Sequence, residues 1–87
     1  MPKSDTPFGA ATVVERVSIP QKAGDKRFSS VFELLETDRG DRLVRVAYTT
    51  DGTVRRGPVT LRARDVVRLR EALGKTPELA ELLFGVA

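Results

Sequence analysis

Apolar and polar positions alternate along most of the first 61 residues, and the period changes after Leu61. In residues 12–19, Val13, Val17 and Ile19 share one parity while Arg16 and Ser18 take the other. This two-residue repeat, rich in β-branched side chains, predicts a strand. Pro20 closes it, and residues 21–27 read as a charged loop around Gly24. Residues 28–36 predict a second strand, with Phe28, Ser30, Phe32 and Leu34 on one face and Ser29, Val31, Glu33 and Leu35 on the other. Thr37-Asp38-Arg39-Gly40-Asp41 places Asp and Gly where turns use them. Residues 42–50 form a third strand with Val44, Val46 and Tyr48 on one side and Leu43, Arg45 and Ala47 on the other. Asp51-Gly52 is the strongest short hairpin signal in the chain. Residues 53–61 follow as a fourth strand, interrupted by Gly57-Pro58, since proline donates no ladder hydrogen bond and marks a bulge or an edge.

Beyond Leu61, Val66, Leu69 and Leu73 recur at helical spacing, opposite Arg64, Arg68, Glu71 and Lys75. Gly74 is placed to cap this helix. Thr76-Pro77-Glu78 then restarts a short helix carrying Leu79, Leu82 and Leu83 on one side. The expected fold class is α+β: a four-stranded antiparallel meander, an amphipathic helix on one face, and a short C-terminal helix. Residues 1–10 read as a flexible lead and residues 11–87 as one domain.

At 87 residues a single modest core is all the chain can build, and dimerisation would bury more apolar surface. The chain has neither cysteine nor histidine, which excludes disulfides, thiolate metal sites and the commonest general base. No cofactor and no metal site is expected. The first residues show no apolar run typical of a secretion signal, and no stretch is apolar enough to cross a bilayer, so a cytoplasmic, membrane-free protein is expected. Glu33 with Glu36, or Asp38 with Asp41, would be the only carboxylate pairs to weigh as catalysts, and solvated strand edges and turns explain them better. Ser29 and Ser30 lack a histidine to activate them. The chain reads as a non-enzyme.

Charge distribution sharpens the picture. Residues 1–41 hold 6 basic and 7 acidic side chains, whereas residues 42–75 hold 9 basic and 3 acidic ones. The excess is almost all arginine, whose planar fork suits phosphate and stacks on bases. Lys26, Arg27 and Phe28 open the second strand, Arg42 and Arg45 lie on the third, and Arg55 and Arg56 on the fourth. A basic groove with interleaved aromatics is how single strands of nucleic acid are held. These seven residues are the candidate nucleic-acid-binding set. Arg45 is the first choice among them, on the expectation that Val44, Val46 and Tyr48 face the helix.

The segment Arg56-Gly57-Pro58-Val59-Thr60-Leu61, followed by a helix with Val66 and Leu69 in the inward places, resembles the last strand and helix of the transcriptional positive cofactor four family. The alternating stretch Arg42-Leu43-Val44-Arg45-Val46-Ala47-Tyr48 is similar to that family's basic and apolar strand, and the resemblance covers roughly residues 26–75. Val66 stands where the family usually has a large aromatic. The resemblance implies a curved sheet, a homodimer formed through the helix, and single-stranded DNA laid across the sheets with little sequence preference. The expected role is thus DNA or RNA single-strand binding in transcription or DNA maintenance, at the nucleoid. The alternative is a non-catalytic dimeric interaction or regulatory module of the same fold, in which the arginines only solvate.

Overall fold

The structure is a computed structural model and describes residues 3–50, 53–54 and 58–85. Six antiparallel strands form one curled sheet: β1 (Lys3–Thr6), β2 (Gly9–Ala23), β3 (Lys26–Thr37), β4 (Arg42–Thr50), β5 (Thr53–Val54) and β6 (Val59–Arg62). They follow one another across the sheet, with β5 and β6 both pairing with β4. Two helices close the chain, α1 (Ala63–Ala72) and α2 (Pro77–Phe84), joined by a 3-10 turn at Leu73–Lys75. The α+β class and the antiparallel meander therefore agree with the sequence reading, but the strand number is larger than four.

The extra strands have local causes. Lys3–Thr6, in the segment read as a flexible lead, pairs with Gly9–Thr12, and the Lys3 ammonium contacts Asp38 at 2.8 Å. Residues 53–61, read as one strand, hold two, β5 and β6; Pro58 directly precedes β6, and Gly57 lies outside the described residues. Thr50 pairs with Thr53, bracketing Asp51-Gly52, which themselves lie outside the described residues. Pro20 does not end its strand: β2 runs on to Ala23, with Pro20 opposite Ser29. Because β1 covers β2 only from Gly9 to Thr12, the other side of Pro20 is an open edge, where a missing N–H costs no ladder bond. The charged loop expected at residues 21–27 is instead the tip of a β2–β3 hairpin, turned at Gly24 with a φ of 62°.

A bulge between Val13 and Glu15 reverses the facing of β2. Val13 sits opposite Leu35, whereas Val17 sits opposite Phe32, so residues of one parity in the sequence lie on two faces. The inner face carries the core of Ala11, Leu35 and Leu43, with Val13 packed against them, and Val31 is buried further along. The outer face carries Val17, Ile19, Phe32 and Tyr48, all substantially exposed, along with Val59 on β6.

Helix α1 is capped at its start by Arg62, whose backbone N–H donates to the Asp65 carboxylate at 3.2 Å, while its guanidinium Nε donates to the same group at 2.8 Å. These hydrogen bonds hold the Asp65 carboxyl below the usual carboxylate range. A depressed folded-state pKa gives stability that is present above the ordinary carboxylate pKa and is lost as pH falls through the lowered value. An acid titration of helicity by circular dichroism is expected to show a transition below the usual range that Asp65→Asn lacks; identical curves would mean the cap is not formed.

The helices are thinly anchored. Neither α1 nor α2 has a buried residue, and of the three apolar positions expected inward only Leu73 is buried, with Val66 half-buried and Leu69 exposed. Val66, Val67 and Arg70 border a gap of about 250 Å³ shared with Leu34 and Val44 of the sheet. Gly74 lies within the 3-10 turn and does not adopt a left-handed cap.

Candidate nucleic-acid interface

The β2–β3 hairpin extends past the end of β4, since Ser29 pairs with Thr49 while β3 starts at Lys26. Side chains alternate across this arm. Phe28 falls on the outer face, where it meets Tyr48 of β4 edge to face, with ring centroids 6.5 Å apart and planes at 83°. The rings sit on diagonal positions of the β3–β4 ladder, because Tyr48 pairs directly with Ser30. Lys26, Arg27 and Thr50 complete a shallow groove of about 510 Å³ around the two rings. Tyr48 is 47% exposed, so an aromatic surface remains open to solvent there. On the inner face of the same arm, Lys22 pairs with Arg27, and Pro20, Ser29 and Thr49 line a second concavity of about 420 Å³. No carboxylate of the described residues lies within ion-pair distance of Lys22, Lys26 or Arg27.

The structure thus brings Lys26, Arg27 and Phe28 together and adds Tyr48 to them, while Lys22 lies beside Arg27 on the other face of the arm. It does not bring Arg45 there. Arg45 lies on the inner face directly opposite Glu33, donating from Nε to Glu33 Oε1 at 2.8 Å and from a terminal nitrogen to Ser4 Oγ at 2.6 Å. Glu33 is 5% exposed and the Arg45 side chain 11%. Arg16 of β2 approaches the other Glu33 oxygen at 3.7 Å. Of Val44, Val46 and Tyr48, expected to face the helix, Val44 borders α1 but Tyr48 lies exposed beside Phe28, and the opposite face is closed rather than open. Glu33 is correspondingly not the solvated strand residue the sequence suggested. Arg42 lies at the far end of β4, opposite Glu36 and 3.7 Å from its carboxylate. Arg42 and Tyr48 are six steps apart along the strand, roughly 20 Å. Arg55 and Arg56 lie outside the described residues.

Tyr48 was visible in sequence as one of few aromatics, but its place beside Phe28 required the β3–β4 register. That register also explains Arg45: Glu36 opposite Arg42 and Glu33 opposite Arg45 are both direct cross-strand pairs of opposite charge. Among the described residues no three acidic side chains gather in a way that would hold a metal ion, and no described helix is long and apolar enough to cross a membrane. No family model, no curated protein and no solved structure matches the chain.

Proposed function

We propose that this protein binds single-stranded nucleic acid, DNA in the first instance, on the hairpin arm, and that it does so as a homodimer. The observation that carries the reading is the Phe28–Tyr48 pair, with Tyr48 exposed and Phe28 half-buried, flanked by Lys26 and Arg27. Bases stack on such rings whatever their identity, and unpaired basic side chains at the rim take the phosphates. Little sequence preference follows, because the groove offers π-faces and charge rather than a fixed set of hydrogen-bond partners. A role in transcription or DNA maintenance at the nucleoid, in the cytoplasm, is part of the same proposal and rests on the resemblance described above.

The alternative, a dimeric interaction module without nucleic acid, draws on α2. Leu82 is 86% and Phe84 68% exposed, and the helix has no buried residue. Eight residues form no stable helix alone in water. The radius of gyration, 14.4 Å, exceeds the roughly 12 Å of a compact domain of this length. A second copy covering α2 answers both observations, and it is compatible with either reading.

Fluorescence anisotropy with labelled oligo-dT, against a duplex control and across a salt series, tests the first reading. Single strands are expected to bind more tightly than duplex. Lys26→Ala with Arg27→Ala is expected to weaken binding about tenfold and to flatten the salt slope by about 1.4, two contacts at roughly 0.7 each. Tyr48→Ala is expected to weaken binding with the salt slope unchanged, because stacking releases no counterion. Binding that prefers duplex, or that ignores both variants while circular dichroism shows them folded, would leave the interaction module as the surviving reading.

A further inference from the structure

At the other end of the sheet, away from the hairpin arm, a second cleft of about 480 Å³ collects four arginines from separate parts of the chain. Arg39 comes from the β3–β4 turn, Arg42 from the start of β4, Arg62 from the end of β6, and Arg64 from the first turn of α1. Phe8, in the β1–β2 turn, forms one wall, and the Arg62 guanidinium lies 5.1 Å from its ring centre. Arg62 is further fixed by two bonds from its fork to Asp65, at 2.8 and 3.3 Å.

The charges do not close within the cleft. Asp65 is taken by Arg62, and Glu36 stands 3.7 Å from Arg42. Asp41 is the one carboxylate among the lining residues, and it makes no ion pair within 4.0 Å with a described cation. Arg39 and Arg64 have no carboxylate within that distance among the described residues. Asp41 offsets one of the four guanidinium charges, and the remaining like charges gathered in one concavity repel each other unless a further anion joins them. Guanidinium forks brought to one cleft from four parts of the chain suit a tetrahedral, multiply charged oxyanion better than a planar carboxylate, since each fork can engage a different pair of oxygens. The cleft is too small for a folded partner and is sized for a single group.

We infer that this cleft binds a phosphate monoester, with Arg39 and Arg64 as the free forks and Arg42 and Arg62 as fixed neighbours. The chemistry is shared by the terminal phosphate of a nucleic-acid strand and by a free mononucleotide. The inference does not depend on the hairpin groove, which lies at the opposite end of β4 and uses none of these residues.

The test compares 5′-phosphorylated and 5′-hydroxyl oligo-dT, labelled at the 3′ end, by anisotropy. In parallel, dTMP and inorganic phosphate are titrated and followed by chemical-shift perturbation. Each probe is applied to the wild-type chain, to Arg39→Ala with Arg64→Ala, and to Arg68→Ala, whose side chain is outside the cleft. A gain of about fivefold or more from the 5′-phosphate, lost in the double variant and kept in Arg68→Ala, assigns the cleft to strand ends. Binding of dTMP or phosphate that requires Arg39 and Arg64, with no gain from strand phosphorylation, assigns it to free nucleotides. If no probe responds to the double variant, the inference is wrong. The 5′-hydroxyl strand reports the hairpin groove alone, so failure of the groove and failure of the cleft give different patterns.

Discussion

Glu33→Ala is expected to destabilise the protein by about 3 kcal/mol, within the range found when one member of a buried ion pair is removed. The carboxylate is nearly inaccessible and receives Arg45 at 2.8 Å and Arg16 at 3.7 Å. Removing it leaves the Arg45 guanidinium inside the curl of the sheet with Ser4 as its remaining partner. In a domain whose whole stability is about 5–15 kcal/mol, that loss lowers the melting temperature by roughly 15 °C. Thermal or urea denaturation measures it directly. Glu33→Leu combined with Arg45→Met is expected to recover most of the loss, because apolar replacements of similar volume remove both desolvated charges together. A Glu33→Ala melting curve that overlays the wild type would show that the carboxylate is solvated after all. The same geometry changes how Arg45→Ala must be read. Any loss of oligonucleotide affinity in that variant is expected to accompany unfolding, so it reports on the fold and not on a binding contact.

Leu82→Glu with Phe84→Glu is expected to turn a dimer into a monomer, raising the dissociation constant by at least about 100-fold, as removal of central apolar anchors does. Both side chains are among the most exposed apolar groups of the described chain. In a lone chain, replacing them with glutamate would increase solubility and leave stability nearly unchanged. In a dimer it places charge in the interface, where desolvation is costly. Sedimentation velocity at micromolar concentration separates the two cases. A wild-type chain that sediments as a monomer would overturn the proposed assembly. It would leave α2 as a helix needing some other cover.

The strand-forming regions were legible because alternation and β-branched residues act locally. The β4 boundaries at Arg42 and Thr50 and the start of α2 at Pro77 coincide with those read from the chain. Pro20 misled because its effect depends on whether a neighbour needs its N–H, and only the sheet order shows that β1 stops short of it. The single extra residue near Val14 was equally hidden. Bulges carry no strong sequence mark, yet this one sends Val13 inward and Val17 outward.

The candidate site divides in the same way. Sequence by itself determined an α+β chain with a basic, arginine-rich second half, without thiols or imidazoles, and it singled out Lys26, Arg27 and Phe28. These three are adjacent, so their proximity needed no fold. Only the tertiary structure decided that Tyr48 joins Phe28, that Glu33 claims Arg45, and that Arg39, Arg42, Arg62 and Arg64 border one cleft. Each of these pairings joins residues on different elements. Their meeting is fixed by strand register and by the curl of the sheet, which depend on all the strands at once and on no short stretch of chain.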